Sequence, residues 1–93
     1  MTKLSWTDFA DAVGTAYQVE ADGATYELTL VQATQLTPSI RQEGSFRLEF
    51  RGPYEPILPQ AIYPLRAGDF ECEMFIVPID RNDAGTFYEA IFN

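Results

Sequence analysis

Over residues 45–51, Phe46, Leu48 and Phe50 fall on one side of an extended backbone, and Arg47, Glu49 and Arg51 fall on the other. Successive side chains change face only along a β-strand, so this period of two specifies a sheet with one buried and one solvated face. The same period returns between clusters of turn-forming residues. Over 15–21, Tyr17 and Val19 oppose Gln18 and Glu20. Over 25–36, Tyr26, Leu28 and Leu30 oppose Thr25, Glu27 and Thr29, until the parity fails near Val31, Gln32 and Ala33. A lost parity inside a strand predicts a bulge or a bend. Over 70–79, Phe70, Cys72, Met74 and Ile76 oppose Glu71, Glu73, Phe75 and Val77. Residues 60–66 form a shorter strand in which Pro64 lacks a ladder donor, which predicts an edge or an irregularity. Residues 86–92 form the last strand.

The punctuation agrees. Asp22-Gly23 is the strongest hairpin signal in the chain. Residues 37–44 and 80–85 read as loops. Residues 52–59, with Gly52, Pro53, Pro56 and Pro59, read as a connection ordered by stiffness. Six short strands separated by turns predict a mainly β fold, a small antiparallel barrel or sandwich. Without crossover helices a parallel sheet is excluded. No stretch of the sequence repeats another. The length of 93 residues fits one domain, 1–93.

Ahead of the strands, residues 4–14 predict one short N-terminal helix. Ser5 stands as N-cap with Asp8 three residues on, and Leu4 and Phe9 occupy the staple positions. Trp6, Phe9, Ala10 and Val13 form a stripe, and Gly14 can end the helix. So short a helix must dock on the sheet to persist.

Composition excludes several functions. The chain has no His, which removes the commonest general base and metal ligand. Its one Cys can form no internal disulfide and no Cys cluster. Six basic residues against 14 acidic ones, a formal net charge of -8, oppose binding to nucleic acid. No apolar run has the length to span a bilayer, and Met1-Thr2-Lys3-Leu4 does not open a signal peptide. The expectation is a cytoplasmic protein with no membrane partner and no cofactor, with signal-less export as part of an assembly left open.

The segments that could carry chemistry each have a plainer reading. Asp80, Asn82 and Asp83 resemble a calcium loop, but Arg81 intervenes and no closing Glu follows, so a turn is expected. Cys72 lies between Glu71 and Glu73 on an apolar face, which suits a structural thiol better than a nucleophile. Glu71 and Glu73 are read as forming a solvated charge ladder with Arg47 and Arg51. No catalytic and no metal residue is assigned, and an enzyme is not expected.

The last two strands are apolar on both faces. Phe75 and Val77 point away from Met74 and Ile76, and Phe87 and Ile91 point away from Tyr88 and Ala90. Either the N-terminal helix covers that second face or another chain does. Phe75, Val77, Phe87 and Ile91 are therefore contact candidates. Tyr54 joins them at the tip of the proline-rich turn, and Tyr63 at the strand edge beside Pro64, where an unpaired edge could accept a strand.

Several segments in order resemble a known family: Phe9 with Val13-Gly14, the run from Phe46 to Pro53, Leu58-Pro59-Gln60 with Tyr63, the run from Phe75 to Ile79, and Tyr88 to Asn93. The chain is similar to short, acidic bacterial proteins gathered under a domain-of-unknown-function heading, over nearly its whole length. That family often carries a His before the position of Phe70, where this chain has Arg66-Ala67-Gly68. The resemblance implies association with phage-tail-collar-like proteins and supplies no catalytic residue. The expected function is a non-enzymatic structural or protein-interaction module, an accessory part of a phage-tail-like or other assembly. The alternative is a small barrel binding a small apolar molecule in a cavity lined by Tyr17, Tyr26, Phe46 and Met74.

Overall fold

The computed structural model describes residues 4–36 and 45–92; the loop expected over 37–44 lies outside them. Six strands follow one another: β1 (Ala16–Ala21), β2 (Ala24–Leu36), β3 (Ser45–Gly52), β4 (Ala61–Ala67), β5 (Phe70–Asn82) and β6 (Gly85–Phe92). They close into an antiparallel barrel in the order β1-β2-β3-β6-β5-β4. The expected mainly β architecture is therefore present, as a barrel.

The alternation dictates the core. Tyr17, Val19, Leu28, Leu30, Phe46, Leu48, Phe50, Leu65, Met74, Ile76, Tyr88 and Ala90 all point inward and are buried. Each large side chain withdrawn from water contributes on the order of 2 kcal/mol. Asp22 and Gly23 both take positive φ, 52° and 80°, as a two-residue hairpin of the primed type requires. The predicted irregularity in β2 is a register shift between Leu30 and Gln32, which leaves Val31 as the extra residue. A second shift, between Pro78 and Asp80, leaves Ile79 extra in β5. These two 13-residue strands are each shared. β2 pairs with β1 and then β3, and β5 pairs with β4 and then β6.

The 80–85 loop is tighter than expected. β5 runs on to Asn82 and β6 starts at Gly85, so the turn is Asp83-Ala84, braced by the Ala84 N–H donating to Asn82 Oδ1 at 2.8 Å. Extended pairing of Arg81 with Thr86 and of Asn82 with Gly85 carries the ladder to the tip.

The ladder registers obey an internal two-fold except at the two bulges, Val31 and Ile79, which fall at non-equivalent positions. On β3 and β6, Phe46–Phe92 is matched by Gly52–Thr86 and Arg47–Ile91 by Arg51–Phe87, with Glu49–Glu89 on the axis. At the opposite seam Val19–Leu65 lies on the axis. One offset carries β1 and β2 onto β4 and β5, so Tyr17 pairs with Leu28 as Tyr63 pairs with Met74. The burial patterns of the two halves follow suit. The β1–β4 seam is nevertheless short: Gln18 pairs with Arg66, but the symmetric pairing of Glu20 with Pro64 is missing. Proline has no N–H, and the ladder stops there.

The N-terminal helix is present only as one 3-10 turn, Trp6–Asp8. Its start follows the capping pattern, since Asp8 Oδ2 accepts the Ser5 N–H at 2.8 Å. Tertiary pulls then end it. Phe9 drops into the barrel end, with ring centroids 5.8 Å from Phe46 and 5.7 Å from Phe70. Trp6 turns to β2 and donates its indole N–H to the Ala33 carbonyl at 3.2 Å. The Gly14 N–H donates to Leu30 O at 2.7 Å and the Leu30 N–H to Thr15 O at 2.9 Å, so the chain is already sheet-like where the helix was expected to finish. Val13, expected on the docking stripe, is 53% exposed.

Candidate functional site: the outer face of β4, β5 and β6

Outward positions on three adjacent strands place large apolar side chains together. Ile62 on β4 pairs directly with Phe75 on β5. Val77 on β5 pairs with Glu89 on β6, where that ladder begins, and Phe75 and Ile91 lie two residues beyond that pair on the same outward faces of β5 and β6. Ile62, Phe75 and Ile91 are 66%, 51% and 49% exposed. Val77 and Phe87 are half-buried beside them, and Ile79, thrown out by the bulge, is exposed. A run of exposed apolar side chains across three strands is unusual for a solvated sheet face.

The internal two-fold supplies a comparison within the same molecule. The positions equivalent to Ile62, Phe75, Phe87 and Ile91 are Ala16, Thr29, Arg47 and Arg51. The barrel is thus built equally well with small, polar or charged residues there.

Four of the expected contact residues, Phe75, Val77, Phe87 and Ile91, belong to this face. Tyr54 is 48% exposed but stands apart, at the end of the β5–β6 hairpin. Its hydroxyl accepts from Arg81 Nη2 at 3.0 Å, and the Arg81 guanidinium carbon lies 3.9 Å from its ring centroid. Tyr63 must be removed from the set. It points inward, is buried, and its hydroxyl donates to the Pro59 carbonyl. The strand edge expected beside it is confined to one side: β4 pairs with β5 along its length, but its ladder to β1 holds only at Leu65 and Arg66, which leaves Tyr63-Pro64 unpaired toward β1. The strand pattern of 60–66 held the signal for Ile62, which must point opposite to Tyr63, but the attention Pro64 draws obscured it.

The N-terminal segment was one of two candidates to cover this face. Its described residues lie elsewhere, with Phe9 in the barrel end and Trp6 on β2.

Charges surround the face. Arg47 donates to Glu89 through Nε and to Glu49 through Nη2, the latter at 3.0 Å. The hydrogen bond to Glu89 raises the Arg47 pKa, burial opposes it, and Glu49 adds to the rise. Arg66 Nη2 reaches Glu20 at 3.0 Å. The ladder expected between Glu71, Glu73, Arg47 and Arg51 does not form, because β3 and β5 are not neighbours. Glu71 pairs in register with Arg66, and Glu73 with Pro64.

The Cys72 thiol is pushed up to about 11, first by burial and then by Asp8 and Glu71, which suppresses the nucleophilic thiolate at neutral pH. Among the described residues no three acidic or Cys side chains gather as a metal site. The residues named for an interior cavity are core: Tyr17, Phe46 and Met74 are buried and Tyr26 packs against them. Tyr17 stacks edge-on against Phe50 at 5.9 Å. At the other end of the barrel Leu58 is buried and its N–H donates to the Tyr88 hydroxyl at 2.9 Å. No described helix is long and apolar enough to cross a membrane.

No curated protein and no solved structure matches the chain. A family model described as a domain of unknown function, DUF6916, matches residues 4–92, which takes in the 3-10 turn, all six strands and the whole apolar face. The chain belongs to the DUF6916 family.

Proposed function

We propose that the protein is a non-enzymatic interaction module that docks another protein on the outer face of β4, β5 and β6. The observation that carries this reading is the row Ile62–Phe75–Ile91, exposed in one half of a barrel whose other half has Ala16, Thr29 and Arg51 at the equivalent positions. Burying such a row against a partner is favourable by roughly 25 cal/mol per Å² of apolar area, before the cost of association. A module of this kind fits an accessory part of a protein assembly in the cytoplasm. The sequence resemblance points to a phage-tail-like assembly, and the products of neighbouring genes are the first partners to try.

The test compares the full chain with its Phe75→Ser/Ile91→Ser variant as baits in cells that encode it. A partner retained by the native protein is identified, purified and rebound. Rebinding to the native protein and not to the variant is the expected result. An identical partner set on both baits would end the reading.

A further inference from the structure

We infer that the occupant of this face is a basic amphipathic helix of the partner protein, an inference that rests on the docking role proposed above. Width is the first argument. Ile62, Phe75 and Ile91 lie on three successive strands, so the row covers two inter-strand spacings, about 10 Å, which is the diameter of one α-helix with its side chains. A strand would need an open sheet edge, and the barrel is closed except where the short β1–β4 seam leaves Tyr63-Pro64 unpaired toward β1.

Charge is the second argument. The chain carries a net charge of -8. Among the described cations, Arg47 is held by Glu49 and Glu89, Arg66 by Glu20, and Arg81 by Tyr54. Glu71 and Glu73 extend the same outward line of β5 that carries Phe75 and Val77, and Asp80 pairs beside Phe87. Among the described cations Arg51 and Arg81 have no ion pair, and Arg51 stands directly opposite Phe87. The apolar row is therefore bordered by acid along β5, at Glu71, Glu73 and Asp80, while Arg47 and Arg51 stand opposite Ile91 and Phe87 on β3. A second copy of the chain would bring an equal negative charge onto this border and is repelled. A helix with an apolar stripe flanked by Lys and Arg satisfies both the row and its rim.

The experiment uses two labelled helical peptides with the same leucine stripe, one flanked by Lys and Arg and one by Glu, titrated by fluorescence anisotropy against the full chain. The basic peptide is expected to bind, more weakly as salt is raised. Phe75→Ser/Ile91→Ser should weaken it about tenfold or more, and Glu73→Lys several-fold. Val13→Ser, an exposed apolar site elsewhere, should leave it unchanged. Equal binding of both peptides, sensitive to Phe75 and Ile91, would overturn the basic partner and leave the docking face standing. Binding that ignores Phe75 and Ile91 would overturn both. Failure of the basic peptide to bind overturns the inference alone, since the bait comparison judges the docking role separately. A dimer in light scattering that the double variant dissociates also overturns it, by making a second copy the occupant.

Discussion

Glu49 and Glu89 lie directly opposite one another on β3 and β6, on the internal two-fold axis, and Arg47 donates to both. Opposed like charges destabilise a strand pair. The symmetry that makes the two halves alike thus puts two carboxylates face to face, and a residue that breaks the symmetry, Arg47 in place of Phe87, bridges them and offsets one of the two charges.

Removing that bridge should therefore cost more than a surface ion pair. Arg47→Ala is expected to lower stability by about 1 kcal/mol or slightly more. Chemical denaturation checks this. Adding Glu49→Gln to the variant should recover part of the loss, and high salt should shrink it.

Gly85 has φ of 138°, and a Cβ there would lie 2.2 Å from the Gly52 carbonyl oxygen. Both strain and collision oppose any side chain, so Gly85→Ala should cost about 3 kcal/mol or more. Gly68 has φ of 61° and open space around it. Gly68→Ala should cost only about 1 kcal/mol. A loss of equal size at both positions in thermal melts would contradict the close approach of the two strands.

Phe9 is fully buried although it lies outside the barrel strands. Phe9→Ala is expected to destabilise by about 3–5 kcal/mol. The exposed Val13, four residues on, should tolerate Ser within about 0.5 kcal/mol. Urea midpoints for the two variants measure the difference.

Alkaline pH should weaken the fold. The Cys72 thiol ionises at about 11 when folded against an ordinary value of 9.0. Between these values the unfolded chain releases a proton that the folded chain keeps, so stability is complete below 9 and falls as pH rises to 11. Burial also raises Tyr17, Tyr63 and Tyr88 above 10.0, which adds to the same loss. Denaturation midpoints measured across this range should decline. Alkylation of native Cys72 by iodoacetamide should keep accelerating beyond pH 9, where an ordinary thiol levels off.

Strands were legible because the period of two is a local property. Phe46, Leu48 and Phe50 declare their face without reference to the rest of the chain. The hairpin at Asp22-Gly23 and the bulge at Val31 were legible for the same reason. The N-terminal helix misled because its signals are local and its fate is not: Phe9 and Trp6 are claimed by different parts of the barrel. The two-fold was invisible because the halves share burial and register while keeping few residues, among them Tyr17 and Tyr63, Glu27 and Glu73, Val31 and Val77, and Glu49 and Glu89. Of the candidate face, Phe75, Val77, Phe87 and Ile91 could be read from parity. Ile62 needed the pairing of β4 with β5, which is long-range information.

Trp6 is the only tryptophan in the chain, and its indole is tied to the Ala33 carbonyl on β2. Its emission therefore reports on the N-terminal segment, while far-ultraviolet dichroism reports on the strands. Followed together in one stopped-flow trace, the two optical signals separate the moment the barrel forms from the moment its end is stoppered.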